Sequence, residues 1–302
     1  AIRFIPRMGF GQGLYYAVFH AISAFCNAGF DLMGRYEPFS SLTGYASDVL
    51  VNVTIMLLIL IGGIGFLVWD DILKYRLSFK NYSLHSKIIL VTTPVLLVGG
   101  AIGYFVFEQN YTLQGNGIGE QILKSFFAST TMRTAGFNTI DYAGMSPSAS
   151  LLSDVLMMIG GSPGSTAGGM KITTITLVFL SMVSMLRGQS DTVIGKRRVS
   201  TILIKQAAVI ILVYAVYILA GTMLICHIEG LPMSNVLFEV ISAVCTVGVT
   251  TGITPHLCAL SHIILIVLMY GGRIGGFTLM LILGKQNKQP PLRRPKENIL
   301  IG

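Results

Sequence analysis

The 302 residues are 53% hydrophobic and only 11% charged, with 34 glycines and a formal net charge of +8. A soluble domain carries about 25% charged residues, so this chain lacks the groups to solvate a surface, and a cytosolic enzyme is excluded. Long uncharged stretches point to an integral membrane protein, and the positive balance then reads as loop topology rather than as a nucleic-acid surface.

Taken in order, the first apolar piece is Leu14 to Cys26, too short to cross roughly 30 Å of hydrocarbon at 1.5 Å per residue. It runs into Asn27-Ala28-Gly29-Phe30. Val49 to Trp69 is long enough to span, with Asn52 and Thr54 as polar interruptions, and Ile88 to Phe107 follows as a second span. Ile122 to Met132 is again short and leads into Arg133-Thr134-Ala135-Gly136-Phe137. Leu151 to Leu186 reads as a broken span, two apolar halves around Gly160 to Gly169 and then Lys171. Ala207 to Cys226 spans, and Val236 to Cys245 is a third short piece, ending in Thr246-Val247-Gly248-Val249. Leu257 to Leu283 is a last span with Arg273 in its interior.

Lys and Arg collect on the cytoplasmic side of a membrane. Lys74, Arg76, Lys80 and Lys87 follow the first span, and Arg187, Lys196, Arg197, Arg198 and Lys205 precede Ala207. Lys285, Lys288, Arg293, Arg294 and Lys296 follow the last span. These fourteen of the 21 basic residues fall in alternate connections, which predicts that those segments are cytoplasmic. All three short apolar pieces then lie on the outer side. Cys26, Cys226, Cys245 and Cys258 show no C-x-x-C spacing and read as small buried hydrophobes.

The short pieces are in register. Phe19, Phe126 and Phe238 each precede Gly29, Gly136 or Gly248 by ten residues, and Ser23, Thr130 and Ser242 precede it by six. Three such copies make an internal repeat of span, re-entrant half-helix, glycine turn and span. Non-helical backbone at membrane depth survives only where protein buries it or where it lines a water-filled cavity. Three turns on one side suggest a shared axial pore, and the negative dipole ends of the half-helices favour a cation there.

The segment from Phe19 to Phe30, the run from Arg133 to Phe137 and the run from Gly161 to Lys171 closely resemble the Ktr/Trk/HKT superfamily of potassium transporters, nearest to the membrane subunit of the bacterial Ktr system. The resemblance implies an all-α membrane fold of pseudo-fourfold units, each a helix, pore helix, filter loop and helix. The copies read as the second repeat (1–76), the third with a broken second helix (77–187) and the fourth (188–284), then a cytoplasmic tail (285–302). On this reading the first repeat and the opening helix of the second are absent, and the sequence is an N-terminally truncated piece.

The same resemblance places the ion filter at Asn27, Ala28, Gly29 and Phe30, at Thr134, Ala135, Gly136 and Phe137, and at Thr246, Val247, Gly248 and Val249. It implies K+ held by carbonyls around Gly29, Gly136 and Gly248, no bound cofactor, and Na+ as a candidate coupling ion. Gly160, Gly161, Ser162, Pro163, Gly164, Ser165, Thr166, Ala167, Gly168 and Gly169, with Lys171, match the family's intramembrane gate loop, with mobility expected from the glycines. Arg273 is expected to act as a barrier below the filter or as a partner of that loop; a side chain snorkelling to the cytoplasmic face is the plainer reading. Arg133 is expected to brace the third turn through carbonyls or through Asp141 or Glu120. Asp31 either adds negative potential at the outer mouth or is a solvated loop acid, and His20, Glu239 and Lys124 receive no role.

The resemblance also implies a homodimer and a cytoplasmic nucleotide-binding regulatory ring of the Ktr/TrkA type, in a bacterial plasma membrane. Lys196 to Lys205 and Lys285 to Lys296 are candidate docking surfaces for that ring or for anionic lipid. Three rivals are weighed against potassium transport. An enzyme would need a converging catalytic set, and no H-E-x-x-H or G-x-S-x-G motif occurs. A generic secondary transporter would carry inverted repeats. A sodium or mixed transporter of the same fold stays open, although by the same resemblance Gly29, Gly136 and Gly248 favour potassium.

Overall fold

A computed structural model describes residues 1–35, 39–76, 78–189, 191–195 and 197–274. Helices dominate it. A short α1 (Ile5–Met8) leads into the half-helix α2 (Phe10–Phe25), and the outgoing helix is split into α3 (Val49–Gly63) and α4 (Phe66–Tyr75). The next unit comprises α5 (Leu84–Phe107), the half-helix α6 (Ile118–Thr131), α7 (Pro147–Met158), a loop, and α8 (Ile172–Leu186). A two-residue hairpin, β1 (Val193–Ile194) with β2 (Arg197–Arg198), precedes α9 (Thr201–Glu229), the half-helix α10 (Met233–Val244) and α11 (Ala259–Ile274). Among the described residues α5 and α9 are each long and apolar enough to cross a membrane, and α3 with α4 make a third candidate if counted as one bent span.

Local chemistry sets these boundaries. Asp48 caps α3 by accepting from the Leu50 and Val51 amides, and Ser83 caps α5 through the Ser86 amide. Ser146 with Pro147 opens α7, and Gly230, left-handed at φ 66°, closes α9. Asn52, a polar residue in an apolar run, is buried and donates to the Tyr45 and Asp48 carbonyls at 2.8 Å, so it ties the helix to its own entry loop.

Each half-helix packs twice. α6 lies against α5 of its own unit and against α3 of the unit before, and α10 lies against α9 and α11 and against α7 of the unit before. This repeated hand-over turns three linear units into part of a ring. Glycines allow the closest approaches: a Cβ added to Gly62 of α3 would stand 1.8 Å from the Phe25 carbonyl oxygen, and one on Gly272 of α11 would stand 1.7 Å from that of Val244.

Several expectations change here. The span expected as continuous from Val49 to Trp69 bends by 93° between α3 and α4. Its freed backbone groups are taken up by the loop after α7: Ser162 N donates to Gly63 O at 3.0 Å, Thr166 N to Gly62 O at 3.3 Å, and Phe66 N to Gly164 O at 3.1 Å. The helix at Leu257 to Leu283 is described only as far as Ile274, and Lys196 and Lys285 to Lys296 lie outside the described residues. The cysteines are free, but only Cys245 is buried; Cys26 and Cys258 are exposed.

Two carboxylates tie helix ends together at the rims. Asp71 of α4 accepts from Ser83 N at 3.0 Å and from the Ser83 and Ser86 hydroxyls at 2.6 Å, which joins α4 to the start of α5. Glu229 at the end of α9 accepts from Cys258 N at 2.8 Å and Ser261 Oγ at 2.5 Å, which joins α9 to α11.

Gly62→Ala and Gly272→Ala should each cost about 1–3 kcal/mol or more through backbone overlap. Gly99→Ala, with open space around it, should be neutral or stabilising by up to about 1 kcal/mol. Thermal unfolding of the three variants checks this.

Candidate ion-conduction site

The three half-helices end in loops with one backbone pattern. Asn27, Thr134 and Thr246 have φ of 50°, 69° and 51°, and two residues later Gly29, Gly136 and Gly248 have φ of 70°, 90° and 91°. Left-handed conformations cost a side-chain-bearing residue about 1–2 kcal/mol, so three such residues at one register position mark a shared constraint. Alternating the backbone hand at every second residue lets consecutive carbonyls share a side, the arrangement that potassium filters use.

The loops converge. A Cβ on Gly29 would stand 2.5 Å from the Ala135 oxygen, and one on Gly136 would stand 2.4 Å from the Val247 oxygen; one on Gly248 would meet nothing within 4 Å. Each loop thus faces the next in sequence order, and the last faces open space. On one side of them is a basin of about 330 Å³ lined by Gly29, Gly136, Gly248, Asp31 and Asp141. A larger cavity of about 680 Å³ is bordered by Gly168, Lys171, α8, α9 and Arg273.

Side chains of the half-helices hold these loops. Ser23 Oγ donates to Phe30 O at 2.7 Å, Ser242 Oγ to Val249 O at 2.7 Å, and Thr131 Oγ1 to Phe137 O at 2.6 Å. In the middle unit this hydroxyl comes from Thr131 rather than from Thr130, the residue in linear register; Thr130 bonds Phe126 O on its own helix. The half-helix of that unit ends five residues before its glycine, where the other two end four before, so spacing alone selects the wrong threonine.

Two residues left without a role form a second brace. Leu32 N lies 3.4 Å from His20 Nε2 as its donor, and Thr251 N donates to Glu239 Oε1 at 2.9 Å. Both side chains sit nine residues before the loop glycine and meet the amide three residues after it. Glu239 also accepts from the hydroxyls of Thr250 and Thr254. Phe127 occupies the same position in the middle unit, which lacks this polar brace. The shared register was the available signal, hidden because the three residue types differ.

Other expectations are corrected. Arg133 is buried and its Nε has no hydrogen-bond partner. It pairs with neither expected acid, because Glu120 pairs with Lys124 at 2.8 Å and Asp141 caps its own turn through Ala143 N. Asp31 lines the basin while accepting from the Met33 and Gly34 amides.

The loop after α7 closes beneath. Gly160 N donates to Met170 O at 2.8 Å and Ile172 N to Gly161 O at 3.0 Å. The first residue of each glycine loop touches it: Asn27 Nδ2 donates to Thr166 Oγ1 at 2.8 Å, Gly168 N donates to Thr134 Oγ1 at 2.9 Å, and a Cβ on Gly168 would fall 2.0 Å from Thr246 Oγ1. Lys171 Nζ donates to Ala167 O at 2.7 Å, and Arg273 Nη1 lies 3.4 Å from Thr166 O. Gly160, Gly161 and Gly168 allow close backbone approach; a Cβ on Gly160 would stand 1.9 Å from Gly168 O.

Residues 4–292 match the family model described as a cation transport protein, TrkH. The chain belongs to the TrkH family. It is 37% identical over 309 residues to the potassium/sodium uptake protein NtpJ of Enterococcus hirae, covering all of this chain and 67% of that one. It is 36% identical over 304 residues to the Ktr system potassium uptake protein B of Bacillus subtilis, again covering all of this chain and 67% of the relative. The potassium transporter TrkH from Vibrio parahaemolyticus shares the fold, with a TM-score of 0.71 at 19% identity over 91% of this chain and 59% of that structure. The chain thus spans about two thirds of these relatives' length. Members of this family are membrane transport proteins, and this chain is no enzyme.

Ser242→Ala removes the donor to Val249 O and the acceptor for Gly248 N, and should destabilise the protein by about 1–2 kcal/mol. Thr130→Val, which loses only a bond within its own helix, should cost less, about 0.5–1 kcal/mol. A comparable loss in both, read by thermal unfolding, would contradict the assigned braces.

Proposed function

We propose that this chain supplies three quarters of a pore for potassium uptake, with the carbonyls around Gly29, Gly136 and Gly248 as the ion filter and the loop from Gly160 to Lys171 as its gate. The convergence of three loops with one alternating backbone pattern, at the floor of an outer basin, carries this reading. The open side of Gly248 is where a fourth loop, from sequence outside this chain, completes the ring. The chain then divides into a second repeat over 1–76, a third over 77–187 and a fourth over 188–284, with 285–302 as a cytoplasmic tail.

Thr166, Gly168 and Lys171 stand between the filter and the large cavity, so ion passage requires the loop to part from Asn27 and Thr134. Arg273 beside Thr166 adds a positive charge that opposes a cation and holds the loop in place. No group in the filter changes covalently; selectivity comes from carbonyls that replace the hydration shell. A mixed potassium and sodium pore is the second reading, favoured by the printed name of the Enterococcus hirae relative.

The setting proposed is a bacterial plasma membrane, as a homodimer bound to a cytoplasmic nucleotide-binding regulatory ring. Arg197, Arg198 and Lys205 offer part of the basic surface for that ring or for anionic lipid.

Potassium uptake by a transporter-deficient cell expressing the full-length protein tests the reading. Uptake should require sequence outside these 302 residues, and activity of the 302 residues alone would refute the four-quarter ring. Gly248→Ser has space but a strained φ; it should cost about tenfold or more in potassium-over-sodium preference, about 1.4 kcal/mol. Thr134→Val, which strips the acceptor from Gly168 N, should raise flux.

A further inference from the structure

Asp154 is the one titratable residue of α7. It is 5% exposed, its Oδ1 is enclosed without a hydrogen-bond partner, and none of the ion pairs among the described residues includes it. α7 packs on α5 and α10. The titratable groups these helices bring near it are Tyr104 of α5, whose hydroxyl meets Ser153 Oγ at 2.5 Å, and Cys245 at the end of α10.

The remaining ionisable groups of those helices are engaged or distant. Glu108, which ends α5, accepts from Ser146 N at 2.8 Å and from Thr112, and Glu239 of α10 holds Thr250, Thr251 and Thr254. His85 and Lys87 lie at the opposite end of α5. Arg133 borders a separate small void lined by Asn27, Ile59, Thr93 and Gly161.

A carboxylate so enclosed is costly to keep charged, and the ordinary remedy is a proton or a bound cation. The C-terminal end of α10, beside Cys245, adds the negative pole of its dipole and disfavours a second negative charge. Among the described residues no group of three His, Cys, Asp or Glu side chains could hold a metal ion. These surroundings favour the proton.

We propose that Asp154 carries a proton in the conducting protein, and that its loss to alkaline medium slows cation passage. The proposal rests on the pore reading above. The last turn of α7 runs into Ile159, which pairs with Met170 at the base of the gate loop. An ionised Asp154 must draw water into the packed contact of α7 with α5 and α10, which shifts the helix that carries the gate.

Rubidium flux through the full-length protein in lipid vesicles, measured from about pH 6 to pH 9, tests this. Wild-type flux should fall on the alkaline side by up to about tenfold per pH unit, the limit for one titrating group. Asp154→Asn, neutral throughout, should hold the low-pH rate, and Asp154→Glu should restore a pH dependence with a moved midpoint. Infrared difference spectra should show a protonated-carboxyl band in the wild type that Asp154→Asn lacks. That band without any rubidium flux would leave the proton site standing and sink the pore reading. An unchanged pH profile in Asp154→Asn, or a loss of sodium dependence in place of pH dependence, overturns the proton site.

Discussion

Every peptide group inside hydrocarbon must find its partner within the protein, and here four non-helical stretches converge in one region of the bundle. Three are the glycine loops and the fourth runs from Ile159 to Lys171. Their solution is mutual. The bend between α3 and α4 frees carbonyls at Gly62 and Gly63 that accept from Thr166 and Ser162, while Gly164 accepts from Phe66. A buried donor or acceptor left unpaired costs about 1–3 kcal/mol, so the bend and the loop stabilise each other and neither would persist alone.

The same economy explains residues that local preference would reject. Asn27, Thr134 and Thr246 take left-handed conformations at the start of each loop, where glycine would be less strained. Their side chains are needed, because each reaches the stretch from Thr166 to Gly168. Strain stored at a site is held by surrounding contacts, and here the contact is with the proposed gate itself. Opening the proposed gate would release bonds that keep the proposed filter residues in place, which couples the two elements physically.

The units repeat in backbone more faithfully than in side chain. A hydroxyl from each half-helix meets the carbonyl after the loop glycine, through Ser23, Thr131 and Ser242. Nine residues before the glycine the chemistry diverges into His20, Phe127 and Glu239. The first and last of these hold the amide three residues past the glycine, with an imidazole in one case and a carboxylate in the other. A ring of near-equal backbones can thus carry unequal charge around its mouth.

Composition, the short apolar pieces and the recurring glycines were enough to read a membrane protein of repeated units with loops in register, because hydrophobic length and conformational freedom are properties of local sequence. The identity of the bracing threonine, the bend at Gly63 and the isolation of Arg133 were not legible. Val49 to Trp69 has no polar residue near Gly63, and its bend exists only because residues about a hundred positions later satisfy the freed backbone. The proximity of Asp154 to Cys245, and the roles of His20 and Glu239, likewise follow from which helix faces meet. Sequence sets which segments enter the membrane and where the backbone can turn; the pairing of buried polar groups is settled only when those turns are brought together, since each partner lies on a different segment.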